Sequence, residues 1–182
     1  MEDISLHILD IAENSADAGA TLIVITLMED SARDLFTFSV EDNGKGIPDE
    51  IRAKVLDPFT TTRLTRKVGL GLPLLAQSAR DTGGDLTVKS EKDSGTVVTA
   101  TFRLTHIDMK PLGDMAETLM VLIAGDPSVD YLFTFIKNGT VFSFDTRLIK
   151  KELEDCPINS PAVLGFLRNY LGESIREMRK QV

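Results

Sequence analysis

Residues 10–21 read DIAENSADAGAT, and the conformation of this dozen decides how the rest of the chain is arranged. Together with the residues before it, the stretch alternates apolar and polar positions at helical spacing from 3 to 18. At about 100° per residue Ile4, Ile8 and Ile11 fall on one side, which is predicted to face the core. His7, Asp10, Asn14 and Asp17 fall within an arc of about 80° away from the isoleucines, so the second face reads as polar throughout. Gly19 suits the left-handed position past a helix end, so the helix stops there and sheet should follow.

Outward from this helix, 21–28 (TLIVITLM) and 35–41 (LFTFSVE) are rich in β-branched and aromatic residues, and EDSARD between them reads as a hairpin turn. Three glycine-bearing signals come next: DNGKGIP at 42–48, VGLGLPLL at 68–75 and DTGGDL at 81–86. Between the first two lie a short helical run near 49–55 and the basic segment DPFTTTRLTRK. A helix over 71–82 and strands over 85–90 and 96–104 complete an order of helix, two strands, loop, helix, two strands. That order predicts an α+β sandwich, a mixed or antiparallel sheet with helices on one face.

From about residue 108 the character changes, which divides the chain into 1–107 and a C-terminal extension, 108–182. The extension reads as a connector, MKPLG, an apolar helix over 112–124, a hairpin, a helix over 146–154 and a final helix over 161–180. Asn138 and Gly139 are the strongest short hairpin signal, because both turn positions require positive φ. Phe133, Phe135, Phe142 and Phe144 load the hairpin with more apolar surface than a free ribbon tolerates. The extension must therefore complete the sheet, cover its open face or form a homodimer interface, and the pattern does not choose among these.

The 182 residues are 42% hydrophobic and 26% charged, the balance of an ordinary globular protein. A net charge of −8 argues against nucleic acid as a partner, because neutralising phosphates requires clustered Lys and Arg. No apolar run approaches the roughly 18 residues that cross a bilayer, and MEDISLHILD carries acids where a signal peptide is basic. A cytoplasmic protein without a membrane partner is expected. Cys156 stands alone, so no internal disulfide or multi-thiolate metal site forms, and two histidines make a structural zinc improbable.

The polar residues suggest chemistry. Asn14 offers an amide oxygen, a hard neutral ligand able to complete the octahedron of a Mg²⁺ already held by phosphates. Asp10, one helical turn earlier, points the same way and could take a proton from water or an acceptor hydroxyl, an effect usually worth about 10²–10⁴ in rate. On their own the two residues equally describe the wet side of an amphipathic helix. Asp42 follows directly on a strand, where its carboxylate can accept a hydrogen bond from an exocyclic amine and so favour adenine over guanine. Gly44 and Gly46 would let backbone approach the base, although Asp, Asn, Gly and Pro are also what turns are made of. Gly69 and Gly71 precede a helix start with Pro73 early in it, and backbone amides at such a terminus bind phosphate. Thr60, Thr61 and Thr62 supply hydroxyls and Arg63, Arg66 and Lys67 cations, in a loop able to close over a nucleotide as a lid.

Taken in order and at these spacings, the motifs resemble the GHKL superfamily of ATP-binding domains, which includes gyrase, the ninety-kilodalton heat-shock chaperone, histidine kinases and mismatch-repair ATPases. The resemblance covers roughly residues 2–107. DIAENSADAGAT resembles the N box, DNGKGIP the G1 box, DPFTTTR the F box with Phe59, and VGLGLPLL the G2 box. GGDLTVKSEKDSGTVVTATF resembles the last sheet segment, with Gly95 and Thr96 at its nucleotide-side turn. The resemblance implies the Bergerat fold, with ATP and Mg²⁺ between the helical layer and a lid. It places Asn14 at the magnesium ligand and Asp10 at the catalytic base, and brings Asp17, Ile47, Leu70 and Leu72 into the nucleotide-binding set.

The N box is closest to mismatch-repair ATPases, whereas the F and G2 boxes are closest to histidine kinases. Many histidine kinases carry an amide where this chain has Asp10, which leans the expectation toward ATP hydrolysis or phosphorylation of a hydroxyl. No phosphoacceptor hairpin precedes the N box in these residues, and neither His7 nor His106 lies in a phosphoacceptor context. Over its full length the chain also resembles small free-standing ATPase-domain proteins of anaerobic bacteria, often encoded near iron hydrogenases, which implies a regulatory or maturation partner. The leading expectation is a Mg²⁺-dependent enzyme that transfers the γ-phosphoryl of ATP to an unknown partner protein or hydrolyses ATP slowly. The alternative is a module in which nucleotide orders the lid and gates a protein interface without useful turnover.

Overall fold

The computed structural model describes residues 3–48 and 71–180. Its first helix, α1 (Ile4–Asp17), begins at Asp3, whose carboxylate accepts from the Leu6 amide at 3.0 Å. It ends as Gly19 takes φ +79°, a conformation open to glycine. Ile4, Ile8 and Ile11 are buried as predicted. His7 departs from the prediction: it is only 1% exposed rather than on a wet face. The cause is the connector after residue 107, which lies over the helix start, where the Ile4 and Ser5 amides donate to the carbonyls of Pro111 (3.0 Å) and Leu112 (2.9 Å). Burial pushes the His7 imidazole down to about 4, with Lys110 and the N-terminus acting in the same direction and Asp3 opposing.

β1 (Leu22–Asp30) and β2 (Leu35–Asp42) form the expected antiparallel pair, with Ile25 opposite Val40 and Leu27 opposite Phe38. α2 (Gly71–Asp81) leads into β3 (Asp85–Glu91) and β4 (Gly95–Arg103), and β4 pairs with β2. In the extension α3 (Met115–Gly125) starts three residues later than predicted, because Pro111 and Gly113 (φ +80°) hold the connector in a turn. Asp114 caps it by accepting from the Glu117 amide at 2.9 Å.

The hairpin β5 (Asp130–Lys137) and β6 (Thr140–Asp145) turns at Asn138 and Gly139, both at positive φ. It completes the sheet, the first of the three roles left open by sequence. β5 runs parallel beside β1, with Ile23 opposite Tyr131 and Leu27 opposite Phe135. The result is one six-stranded mixed sheet in the order β3-β4-β2-β1-β5-β6.

α4 (Thr146–Glu152) and α5 (Pro161–Lys180) close the chain. Alternation along the strands sends Ile23, Ile25, Leu27, Phe36, Phe38, Phe133 and Phe135 to one face, where α1, α2, α3 and α5 cover them. The hairpin phenylalanines find the packing they require, Phe133 and Phe135 fully buried and the Phe142 ring tilted against Tyr170 of α5, their centroids 6.1 Å apart. Among the described residues no helix is long and apolar enough to cross a membrane.

Candidate functional site

Of the residues singled out by sequence, Asp10, Asn14, Asp42, Gly44, Gly46, Gly71 and Thr96 gather at one end of the sheet. Asp42 closes β2 on its helix-covered face and is 8% exposed. A buried carboxylate needs donors, and it has two: the Ser15 hydroxyl to Oδ2 and the Gly44 amide to Oδ1, each at 2.8 Å. Ser15 precedes the end of α1 by two residues and follows Asn14 directly, so its bond to Asp42 brings the end of β2 to the turn of α1 that carries Asn14. Asn43 clamps this corner. Its Oδ1 accepts from the Thr21 and Leu22 amides at 2.8 and 3.0 Å, and its Nδ2 donates to the Thr21 hydroxyl at 2.9 Å.

The glycine loop packs down on the β3–β4 turn. Gly46 has φ +67°, and a Cβ there would fall 2.1 Å from the Glu91 carbonyl oxygen. Gly95 has φ +99°, with its Cβ position 1.9 Å from the Asp42 carbonyl oxygen. The immediate reason for glycine at these two positions is close approach of backbone to backbone. Gly44 is buried too, with its Cβ position 3.0 Å from the Ala18 carbonyl oxygen. Across the loop the Asp93 amide donates to the Lys45 carbonyl at 2.8 Å, and the Ile47 amide to the Ser90 hydroxyl at 2.7 Å. Thr96, half-buried, is the direct partner of Asp42 in the β2–β4 register.

On the other side of the cleft Asp10 meets the start of α2. A Cβ at Gly71 would stand 1.9 Å from Asp10 Oδ2, so the carboxylate lies against the first residue of that helix, at its positive end. Asn14 Nδ2 stands 3.5 Å from the same Oδ2, a long donor contact that turns the amide oxygen of Asn14 away from the carboxylate. Asn14 and Asp17 are exposed, and Leu72 packs against the core.

Among the described residues no group of three or more His, Cys, Asp or Glu side chains converges on a metal position. One outward amide oxygen suits a cation held chiefly by phosphate, and does not suit an all-protein cage. Phe59, Thr60, Thr61, Thr62, Arg63, Arg66, Lys67, Gly69 and Leu70, with the helix expected near 49–55, lie outside the described residues. A cavity of about 450 Å³ at the opposite end of the sheet, lined by Met28, Glu29, Ser31, Ile136 and Gly139 among others, contains none of the motif residues. Sequence reasoning missed Ser15, Asn43 and Ser90, each of which has a partner 21 or more positions away. Asn43 alone carried a signal, as an Asn at a strand end.

Comparison with known proteins agrees with this geometry. The profile of histidine kinase-, DNA gyrase B- and HSP90-like ATPases matches residues 2–106. A histidine kinase of Arabidopsis thaliana, CKI1, is 29% identical over 137 residues, covering 71% of this chain and 12% of its own length. The sensory histidine kinase/phosphatase NtrB of Azospirillum brasilense is 45% identical over 53 residues, covering 29% of this chain and 13% of its own. The chain thus spans only about an eighth of each. The crystal structure of the N-terminal domain of a DNA repair protein superposes with a TM-score of 0.57 at 15% identity, covering 79% of this chain and 52% of that one, which is likeness of fold. With the matched stretch reaching from the capping turn of α1 through the last residue of β4, this chain belongs to the histidine kinase-, DNA gyrase B- and HSP90-like ATPase family.

Proposed function

We propose that the chain binds ATP with Mg²⁺ in the cleft between α1, the strand ends of β2 and β4 and the start of α2. There it passes the γ-phosphoryl to a partner protein or, slowly, to water. The observation that supports this reading is the 2.8 Å bond from Ser15 to Asp42, which ties the carboxylate read as the purine acceptor to the residue next to Asn14. Both Asp42 oxygens already accept from protein donors, so the side chain is oriented before a ligand arrives and its remaining lone pairs face an amine donor. The amides opening α2 suit phosphate oxygens, and the outward Asn14 amide oxygen suits the metal. Bound Mg²⁺ neutralises phosphate charge and orients the terminal phosphoryl.

Asp10 stands where those phosphates would meet the helix. As general base it takes the proton of the acceptor O–H while oxygen bonds to the γ-phosphorus and the bond to the bridging oxygen breaks, releasing ADP. Calorimetric titration with ATP, ADP and GTP, with and without Mg²⁺, on wild type and Asp42→Asn tests the reading. ATP should bind in preference to GTP, and Asp42→Asn should lose that preference; tight GTP binding by the wild type contradicts it. Asp10→Ala should bind ATP and fail to turn it over. A biological output that survives Asp10→Ala would assign the cleft to gating an interface instead.

A further inference from the structure

We propose that Ser90 is a positioning residue for the purine end of this cleft, holding the glycine loop and Thr96 in the arrangement that faces the base. The inference rests on the ATP reading above. Ser90 is the sixth residue of β3, 7% exposed, and its hydroxyl meets partners from two other segments, the glycine loop and the start of β4. It accepts from the Ile47 amide of the glycine loop at 2.7 Å, donates to the Gly95 carbonyl of the β3–β4 turn at 2.9 Å, and shares a hydrogen bond with the Thr96 hydroxyl at 2.9 Å.

A hydroxyl has one hydrogen and two lone pairs, so it can make these three contacts together when Thr96 supplies the third hydrogen. Each partner belongs to the site. Ile47 closes the loop that begins at Asp42; Gly95 lies against the Asp42 carbonyl; Thr96 pairs with Asp42 across the strands. Together with the Asp93–Lys45 backbone bond, this side chain holds the loop to the turn, and it also engages the Thr96 hydroxyl beside the Asp42 carboxylate. Among the described residues its hydrogen bonds to Ile47, Gly95 and Thr96 all lie on the Asp42 side of the site, so its influence should fall on the base rather than on phosphate recognition.

Removing the hydroxyl in Ser90→Ala strips the Ile47 amide of its acceptor and frees the Thr96 rotor. Affinity for ATP should fall about tenfold, and ADP by the same factor because the phosphate end is untouched. The preference for ATP over GTP should shrink. Ser90→Cys, close in shape but a poor hydrogen-bonding group, should behave like the alanine variant. In a Thr96→Val background Ser90→Ala should cost much less than it does alone, because the two hydroxyls act through one another.

The experiment is equilibrium titration of the full chain with ATP, ADP and GTP for the four variants, with thermal unfolding confirming that each is folded. Should Ser90→Ala fail to fold, the cysteine and Thr96→Val proteins carry the test. Wild-type affinity and base preference in Ser90→Cys would overturn the assignment, since shape alone would then suffice, and additive losses with Thr96→Val would overturn it equally. Either result leaves the ATP reading standing. A wild-type chain that binds no adenine nucleotide overturns both.

Discussion

A single methyl group at Gly71 tests whether Asp10 acts from the place the fold gives it. A Cβ there falls 1.9 Å from Asp10 Oδ2 and 3.0 Å from its Cγ, and the three nearest atoms all belong to that carboxyl group. Ordinary van der Waals contact begins near 3.4 Å, so Gly71→Ala forces the carboxylate back by about 1.5 Å. The backbone is not touched and Gly71 is not left-handed, so the change in unfolding free energy should stay within about 1 kcal/mol.

Turnover should respond far more strongly, because a misplacement of about 1 Å at a reacting group can cost on the order of 100-fold. Losing general-base catalysis altogether sets the ceiling at about 10²–10⁴. The assay is release of labelled phosphate under single-turnover conditions, with ATP affinity and melting temperature measured on the same preparation. The double variant with Asp10→Ala should be no slower than Asp10→Ala alone, since the methyl acts only through that carboxylate. A folded Gly71→Ala protein that turns ATP over at the wild-type rate would refute the reasoning.

Other consequences follow from buried groups. The pKa of His7 is depressed from 6.5 to about 4, so the unfolded chain takes up the proton first, and the stability held by neutral His7 is complete above about pH 6.5 and declines as pH falls toward 4. The shift sets a ceiling of about 3 kcal/mol, which partial solvent screening reduces to roughly 2 kcal/mol. His7→Leu should lose that slope in urea titrations between about pH 6.5 and 4.5, whereas parallel slopes in both proteins would contradict it. Gly95→Ala combines a left-handed φ with a backbone clash and should lower stability by more than about 2 kcal/mol in chemical denaturation, carrying ATP affinity down with it. Thr146, fully buried, accepts from the Tyr131 amide at 2.8 Å, so near-isosteric Thr146→Val should cost about 1–3 kcal/mol. A loss below about 0.5 kcal/mol would show that the amide finds another acceptor.

Features with short range were legible in the sequence. The four-residue spacing of Asp10 and Asn14 follows from the helical period, the stop at Gly19 from its φ, and the Asn138–Gly139 turn from the two positive φ values a tight hairpin needs. His7 was misread because periodicity assigns a residue to a face of its own helix and is blind to a connector more than a hundred positions away that covers that face. The place of the second hairpin was equally beyond reach. Its phenylalanines announced that it must be buried, but its partner β1 lies more than a hundred positions earlier, beyond the range of any local pattern. Ser15 and Ser90 were silent because a serine that bridges segments is indistinguishable, in sequence, from one that faces water.

Register connects these two kinds of information. Asp42 reaches Ser15 because β2 presents Phe36, Phe38, Val40 and Asp42 to the helices, and a slip of one residue would turn Asn43 inward in its place. The register of β2 is held by β4 on one side and β1 on the other, with Asp42 opposite Thr96 and Ile23. β1 is in turn held along eight consecutive pairs by β5. The Asp130 amide donates to the Thr21 carbonyl at 2.9 Å, and the Thr21 amide donates to Asn43 at 2.8 Å, next to Asp42. The hairpin of the C-terminal extension therefore reaches the candidate site through two hydrogen bonds and one residue. Weakening β5 should loosen the Asp42 corner before it exposes the core, because that corner depends on strand register whereas the core depends on the area the helices cover.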